Sequence, residues 1–309
     1  MTHWKSLATL ILLASLLTGC ASIAALMPHR TASHVAPSLS ADEPAFQATS
    51  AAVHPATAPA LLPLRRDLAI YLAAQTGTYG VFVIDVSTGA TLGINQDTVF
   101  PTASTFKLPM SLYLLDQAAQ GRLNLDERLA YSLRDFEEGT GVLQTNVKEG
   151  DLYPVRRLIE LAITHSDNIA TNMLMRRFGF QNVYAYMHQL GGQVTKYDPD
   201  VIGSTPREMA LYMQAAQGNA LRDTALTAFL MDSLARTVFA DRIVAGAPEG
   251  VHVAHKIGTL DNVINDVGLV SLPGRPVIIA VMSMGVDTDR APAVIEELTR
   301  RVCRFFLAP

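Results

Sequence analysis

The stretch Pro101-Thr102-Ala103-Ser104-Thr105-Phe106-Lys107-Leu108-Pro109 reads as a turn that delivers a serine onto the first turn of a helix. Ser104 and Lys107 are three residues apart, a spacing that puts both side chains on one helical face. A serine hydroxyl is a weak nucleophile at neutral pH and needs a base beside it. A lysine amine serves when desolvation lowers its pKa. Thr102 is the predicted N-cap, which would leave backbone N–H groups and the positive end of the helix dipole beside Ser104, where an oxyanion would develop. Pro109 falls near the end of the first turn, where a missing N–H is tolerated. Residues 106–115 are apolar nearly all round, the pattern of a buried helix. Ser-x-x-Lys alone is a weak signal, since surface helices carry it too.

Working outward, 64–75 reads as a helix, 80–86 as a buried strand, Ser87-Thr88-Gly89 as a turn and 90–94 as the hairpin partner. After the Ser104 helix come helical patterns at 155–163, 168–178, 182–190, 206–217 and 223–236. Strand patterns return at 251–257, 263–271 and 276–284, the last two joined by Leu272-Pro273-Gly274-Arg275, and an amphipathic helix covers 292–307. The predicted fold is α/β (α+β): an antiparallel sheet built from both chain ends, flanked by helices, with an inserted all-helical lobe. A site would form at the seam of the two parts.

The chain has 309 residues, 49% of them hydrophobic, enough for a full core in one large domain or two intertwined ones. Its formal charge of −4 comes with no basic stripe and no aromatic-plus-arginine platform, which argues against nucleic acid as a partner. Residues 1–19 have the form of a targeting segment, with Lys5 as the positive region, Leu7 to Leu17 as the apolar run, and Leu17-Thr18-Gly19-Cys20 at its end. This resembles the lipobox of bacterial lipoproteins, and the resemblance implies cleavage before Cys20 and a lipid on that cysteine. The expected location is the bacterial cell envelope, lipid-anchored on the periplasmic face. The apolar run is short for a full membrane span. Residues 20–63, rich in Ala, Pro, Ser and Thr, read as a flexible tether in which His29, His34 and His54 are solvated, leaving 64–309 as the catalytic domain. Cys303, among Val302, Phe305 and Phe306, reads as a buried structural thiol.

Two further motifs give Ser104 and Lys107 weight: Ser166-Asp167-Asn168 between two helical patterns, and Lys256-Ile257-Gly258-Thr259 at the end of a strand. In this order they resemble the Ser-x-x-Lys, Ser-Asp-Asn and Lys-Thr-Gly signatures of the penicillin-recognising serine enzymes, and Gly139-Thr140-Gly141-Val142-Leu143 and Thr205-Pro206 bring the pattern near class A β-lactamases. The chemistry assigns Ser104 as nucleophile, Lys107 as its base or relay, and Ser166 as the carrier of a proton to the leaving nitrogen. Asn168 would bond a peptide-like side chain of the substrate, and Lys256 would meet its carboxylate and help keep Lys107 neutral. The resemblance implies an oxyanion hole made by the backbone N–H groups of Ser104 and Thr259. Asp167 would brace its loop, and Ser166 or Asp167 would cap the following helix. His165 and His255 receive no catalytic role, because His255 lies next to Lys256 on a strand and faces the other way. No metal-ligand spacing is present, and no cofactor is expected.

Two departures qualify the resemblance. Ile257 stands where the family has a hydroxyl residue, so carboxylate recognition would be weaker or pass to Thr259. The Glu-x-x-Leu-Asn pattern that supplies the deacylation base in class A enzymes is missing between Gly191 and Thr205. Asp198 or Asp200 would be the substitute base unless Asp-Pro-Asp is simply an exposed turn, and Glu208 reads as a surface residue. The expected function is opening of β-lactam rings through an acyl-serine intermediate by a monomeric enzyme. The alternatives are a D,D-peptidase acting on D-Ala-D-Ala-like peptide ends, or a sensor that does not turn over.

Overall fold

The computed structural model describes residues 57–193, 196–197, 202–218 and 220–308. The predicted signal segment, Cys20, the three tether histidines, Asp198 and Asp200 lie outside the described residues. The chain is already ordered ahead of Pro63: Thr57 bridges Leu92, and Leu61, in a 3-10 turn over Pro59–Leu61, is fully buried.

Helix α1 (Leu62–Ala73) leads into strands β1 (Thr78–Asp85), β2 (Thr91–Ile94) and the short β3 (Phe100–Pro101). A 3-10 turn, Ala103–Phe106, then feeds α2 (Lys107–Ala119). The helical part continues with β4 (Arg128–Ala130), β5 (Leu152–Pro154), α3 (Val155–Thr164), α4 (Asn168–Phe178) and α5 (Phe180–Gln189). It runs on through β6 (Lys196–Tyr197), β7 (Ile202–Ser204), α6 (Pro206–Gln217), α7 (Thr224–Ala235) and the one-turn α8 (Ile243–Gly246). Strands β8 (Val253–Leu260), β9 (Val263–Val270) and β10 (Val277–Met284) and helix α9 (Ala291–Leu307) close the chain. The predicted elements are all present, with ends displaced by a few residues.

The five-stranded sheet has the order β2-β1-β10-β9-β8, and its pairings are antiparallel. The first strand, β1, pairs with the last, β10, as with Phe82 opposite Ala280. Successive side chains on a strand point to opposite faces, so β1 feeds two cores. Phe82 and Ile84 join the core that includes Leu108, Met110 and Leu112 of α2, whereas Val81 and Val83 join Leu64 and Leu68 of α1 and Ile295, Leu298 and Val302 of α9. A sheet covered on both faces explains why its strands read as apolar runs more than as alternations. Cys303 is buried on the α9 side, as expected.

Three short contacts hold the start of α2 against the sheet. Asn265, fully buried on β9, donates Nδ2 to the carbonyls of Pro101 (2.8 Å) and Thr102 (3.2 Å), and its Oδ1 accepts from the Ser283 N–H of β10 at 2.8 Å. On β8, Gly258 lies so close to the turn that a Cβ there would sit 2.6 Å from the Thr102 carbonyl oxygen. Only a residue without a side chain allows that approach.

Candidate active site

Thr102 does not cap α2 with its side chain. Its hydroxyl donates to the Ile202 carbonyl at 3.0 Å, and its carbonyl accepts from the Thr105 N–H and hydroxyl, at 3.1 and 2.6 Å. The tight 3-10 turn thus comes before the α-helix, and in such a turn residues three apart eclipse each other. Ala103 adopts φ +47, a left-handed conformation that costs a non-glycine residue of order 1–3 kcal/mol and persists only where the surroundings hold it. Here the Asn265 and Gly258 contacts do so. Ser104 is half-buried at the start of this turn, open to solvent from one side.

Lys107 is 4% exposed. Its Nζ donates to the Ser166 carbonyl (2.6 Å), Asn168 Oδ1 (2.8 Å) and Ser166 Oγ (3.3 Å); none of these bonds goes to Ser104. Burial lowers its pKa from 10.5 to about 7, against the pull of the Asp167 and Glu137 carboxylates. Lys256 is fully buried, with Nζ donating to Ser166 Oγ (3.0 Å) and to the Ile257 carbonyl (2.9 Å). Burial first, and then the nearby Lys107, hold its pKa well below the ordinary lysine value.

Ser166 itself has φ +53, and its carbonyl also accepts from Thr140 Oγ1 at 2.7 Å. Asp167 both caps and braces. Its Oδ1 accepts from the Ala170 N–H at 2.9 Å at the start of α4, and its Oδ2 accepts from the N–H groups of Val142 (2.7 Å) and Leu143 (2.9 Å). The Gly139–Leu143 landmark noted in the sequence is therefore tied directly to the Ser-Asp-Asn loop. His255 points away from Lys256, with Nδ1 2.9 Å from Asp266 Oδ1 and Nε2 3.1 Å from the Phe239 carbonyl.

Glu208 corrects the sequence reading. It is 3% exposed, not a surface residue, and accepts from the Gln193 N–H and from Ser204 Oγ, both at 2.7 Å. The signal was present as Thr205-x-x-Glu208: Thr205 Oγ1 accepts from the Glu208 N–H at 3.2 Å, and the third position of such a capping turn points its carboxylate back across the helix start.

Sequence reasoning missed Arg242. It is 4% exposed, and Nη1 donates to the carbonyls of Gly258 (3.0 Å) and Asn265 (2.7 Å). Its Nη2 donates to Thr259 Oγ1 at 2.7 Å, so a cation backs the hydroxyl that follows the hydroxyl-free Ile257. Nothing in its local pattern marks it, because it reaches the site only through the tertiary contact between α8 and β8. A separate recess of about 530 Å³, lined by Pro248, Arg300, Cys303 and Leu307 among others, lies away from Ser104 and carries no base beside its thiol.

Comparison with known proteins shows what the chain as a whole is similar to. The profile of the beta-lactamase enzyme family matches residues 63–306. The beta-lactamase of Streptomyces albus G is 30% identical over 249 residues, covering 73% of this chain and 78% of that one. Among solved structures, the acyl-enzyme complex of the PBP-A L158E mutant with penicillin-G superposes with a TM-score of 0.75 at 29% identity, over 80% of this chain and 97% of that one. The ancestral (GNCA) class A beta-lactamase does so with a TM-score of 0.73 at 31% identity, over 79% and 100%. A match that runs through the sheet, the helical part and all three motifs means that the chain belongs to the beta-lactamase enzyme family.

Proposed function

We propose that this protein opens β-lactam rings through an acyl-Ser104 intermediate. The observation that carries the reading is Lys107: buried, brought to about 7, and bonded to Ser166 and Asn168 of the Ser-Asp-Asn loop. An amine that is neutral for part of the time near pH 7 accepts the proton of Ser104 as the hydroxyl attacks the ring carbonyl, directly or through Ser166. The backbone N–H groups of Ser104 and Thr259 receive the oxyanion, at the place where Gly258 brings the end of β8 against the Ser104 turn. Ser166, with lysines on its oxygen, keeps its own hydrogen to deliver to the leaving nitrogen. The Thr259 hydroxyl accepts from Arg242, which leaves its hydrogen free to donate to the substrate carboxylate, and this replaces the hydroxyl absent at Ile257.

A second reading keeps the same nucleophile but a slower release: a D,D-peptidase or a binder of cell-wall peptide ends. The missing Glu-x-x-Leu-Asn pattern favours it. The lipobox-like Leu17-Thr18-Gly19-Cys20 supports a lipid anchor on Cys20 and an extracytoplasmic location in the cell envelope.

The test is intact-protein mass spectrometry of the full chain in mild detergent, mixed with benzylpenicillin and followed over time. An adduct that forms and decays while ring-opened product accumulates supports hydrolysis. A persistent adduct favours the second reading, and the absence of both adduct and ring-opened product overturns both.

A further inference from the structure

Asn168 is held with its amide in one orientation. Lys107 Nζ donates to Oδ1 at 2.8 Å, so Nδ2 must face outward, toward the loop that follows β4. Both of its hydrogens are already engaged there, by the Glu138 carbonyl at 3.1 Å and by Glu137 Oε1 at 3.2 Å. Glu137 is steadied in turn by Asn172, one turn along α4, whose Nδ2 donates to Glu137 Oε2 at 2.8 Å. The loop lies close against Asn168: a Cβ at Gly139 would sit 3.0 Å from Nδ2, and one at Gly141 would sit 2.5 Å from the Asp167 carboxylate. Glu137 is exposed, yet its charge is felt at Lys107.

In the proposed reaction the Asn168 amide gives a hydrogen to the side-chain carbonyl of the substrate, and the inference below rests on that reading. In this chain the hydrogen is not idle, because the Glu137 carboxylate holds it. A substrate carbonyl that takes the hydrogen now held by Glu137 Oε1, the longer of the two bonds, leaves that anionic oxygen beside the docked carbonyl and the carbon next to it. A neutral substituent on that carbon leaves the oxygen to water, an anionic one repels it, and an ammonium replaces the lost hydrogen bond with a charge-assisted one. The geometry points to Glu137 as a specificity-determining residue that favours substrates carrying an ammonium group beside the amide carbonyl and disfavours those carrying a carboxylate there.

Three penicillins share one nucleus and one phenylacetyl frame and differ only at that carbon: benzylpenicillin (hydrogen), ampicillin (amine) and carbenicillin (carboxylate). The measurement is the second-order rate of adduct formation by the full chain with each, at about pH 7, where an α-amino group is mostly charged. The expected result is an ampicillin-to-carbenicillin rate ratio on the order of tenfold at low salt, shrinking severalfold at about 0.5 M salt as the charges are screened. Glu137→Gln should bring the ratio close to that of the high-salt wild type, and Glu137→Lys should invert the preference. A ratio that neither salt nor these variants change overturns the inference while leaving the nucleophile assignment intact. So does a loss of rate that is equal for all three penicillins, which would make Glu137 a structural brace only. Absence of both adduct and ring-opened product with wild-type protein overturns the parent reading, and the inference falls with it.

Discussion

Lys107 and Lys256 donate to the same oxygen, Ser166 Oγ, at 3.3 and 3.0 Å. Each amine loses hydration in the buried seam, and the Lys107 charge adds to the depression of Lys256, so both are held below the ordinary lysine range. The fold bears this cost at the one place where a neutral amine is useful. The carboxylates of Asp167 and Glu137 limit the depression at Lys107 and leave it near neutrality.

The pH profile of acylation follows from that balance. In the proposed mechanism Lys107 takes the Ser104 proton in its neutral form, and burial brings its pKa to about 7, so the acylation rate should rise with pH and reach half its plateau near 7. Removing the Glu137 charge removes a contribution that raises Lys107, so Glu137→Gln should move the midpoint downward. Stopped-flow acylation across about pH 5.5 to about pH 8.5 would read both. A profile that is flat through this range would contradict the role of Lys107 as base.

Ser104→Ala should abolish the penicillin adduct in mass spectra. Lys107→Met should slow adduct formation by on the order of 10² to 10⁴-fold without moving the site of attachment. Normal labelling of the Ser104 variant would sink the nucleophile assignment.

Asp167→Ala removes a helix cap and the acceptor for two loop N–H groups at a position with no solvent exposure. The expected loss is about 2–4 kcal/mol of stability, read as a lower urea midpoint. An unchanged midpoint would mean that the Val142–Leu143 loop is not held by this carboxylate.

Gly258→Ala would press a methyl group to 2.6 Å from the Thr102 carbonyl, which is backbone and cannot rotate aside. The Ser104 turn must shift, and a displacement of about 1 Å at a nucleophile costs on the order of 100-fold in rate. The acylation rate should therefore fall much more than thermal stability does; equal and small effects on both would argue that the turn is not set by β8.

Cys303 is buried, and burial pushes its thiol up to about 11, so it should not react with a thiol reagent at about pH 8 until the protein is unfolded. Full-length protein recovered from membranes and then denatured should titrate as one thiol if a lipid occupies the sulfur of Cys20. Two thiols would refute the anchor.

Much of this molecule is legible locally. The helix over 168–178 and the one over 206–217 have the predicted bounds, because Asp167 and Thr205 are strong cap residues and each is followed at once by helical periodicity. The apolar runs of β1 and β10 announce strands covered on both faces. Glu208 was misread because a polar residue on an amphipathic helix is usually solvated. Its burial depends on Gln193 and Ser204, which the fold brings to it from outside the helix.

By itself, the sequence determined which elements form and which residues make up the candidate site: a serine and a lysine three apart, a Ser-Asp-Asn loop, and a lysine at the end of a strand. Those are properties of local spacing, and local spacing is written in the chain. Only the tertiary structure decided that Lys107 bonds Ser166 and Asn168 in preference to Ser104, that Arg242 backs Thr259, and that Glu137 occupies the hydrogen Asn168 would offer a substrate. Each of these contacts joins segments far apart in sequence, and its strength depends on burial, which exists only once the sheet and the helical part have closed on one another.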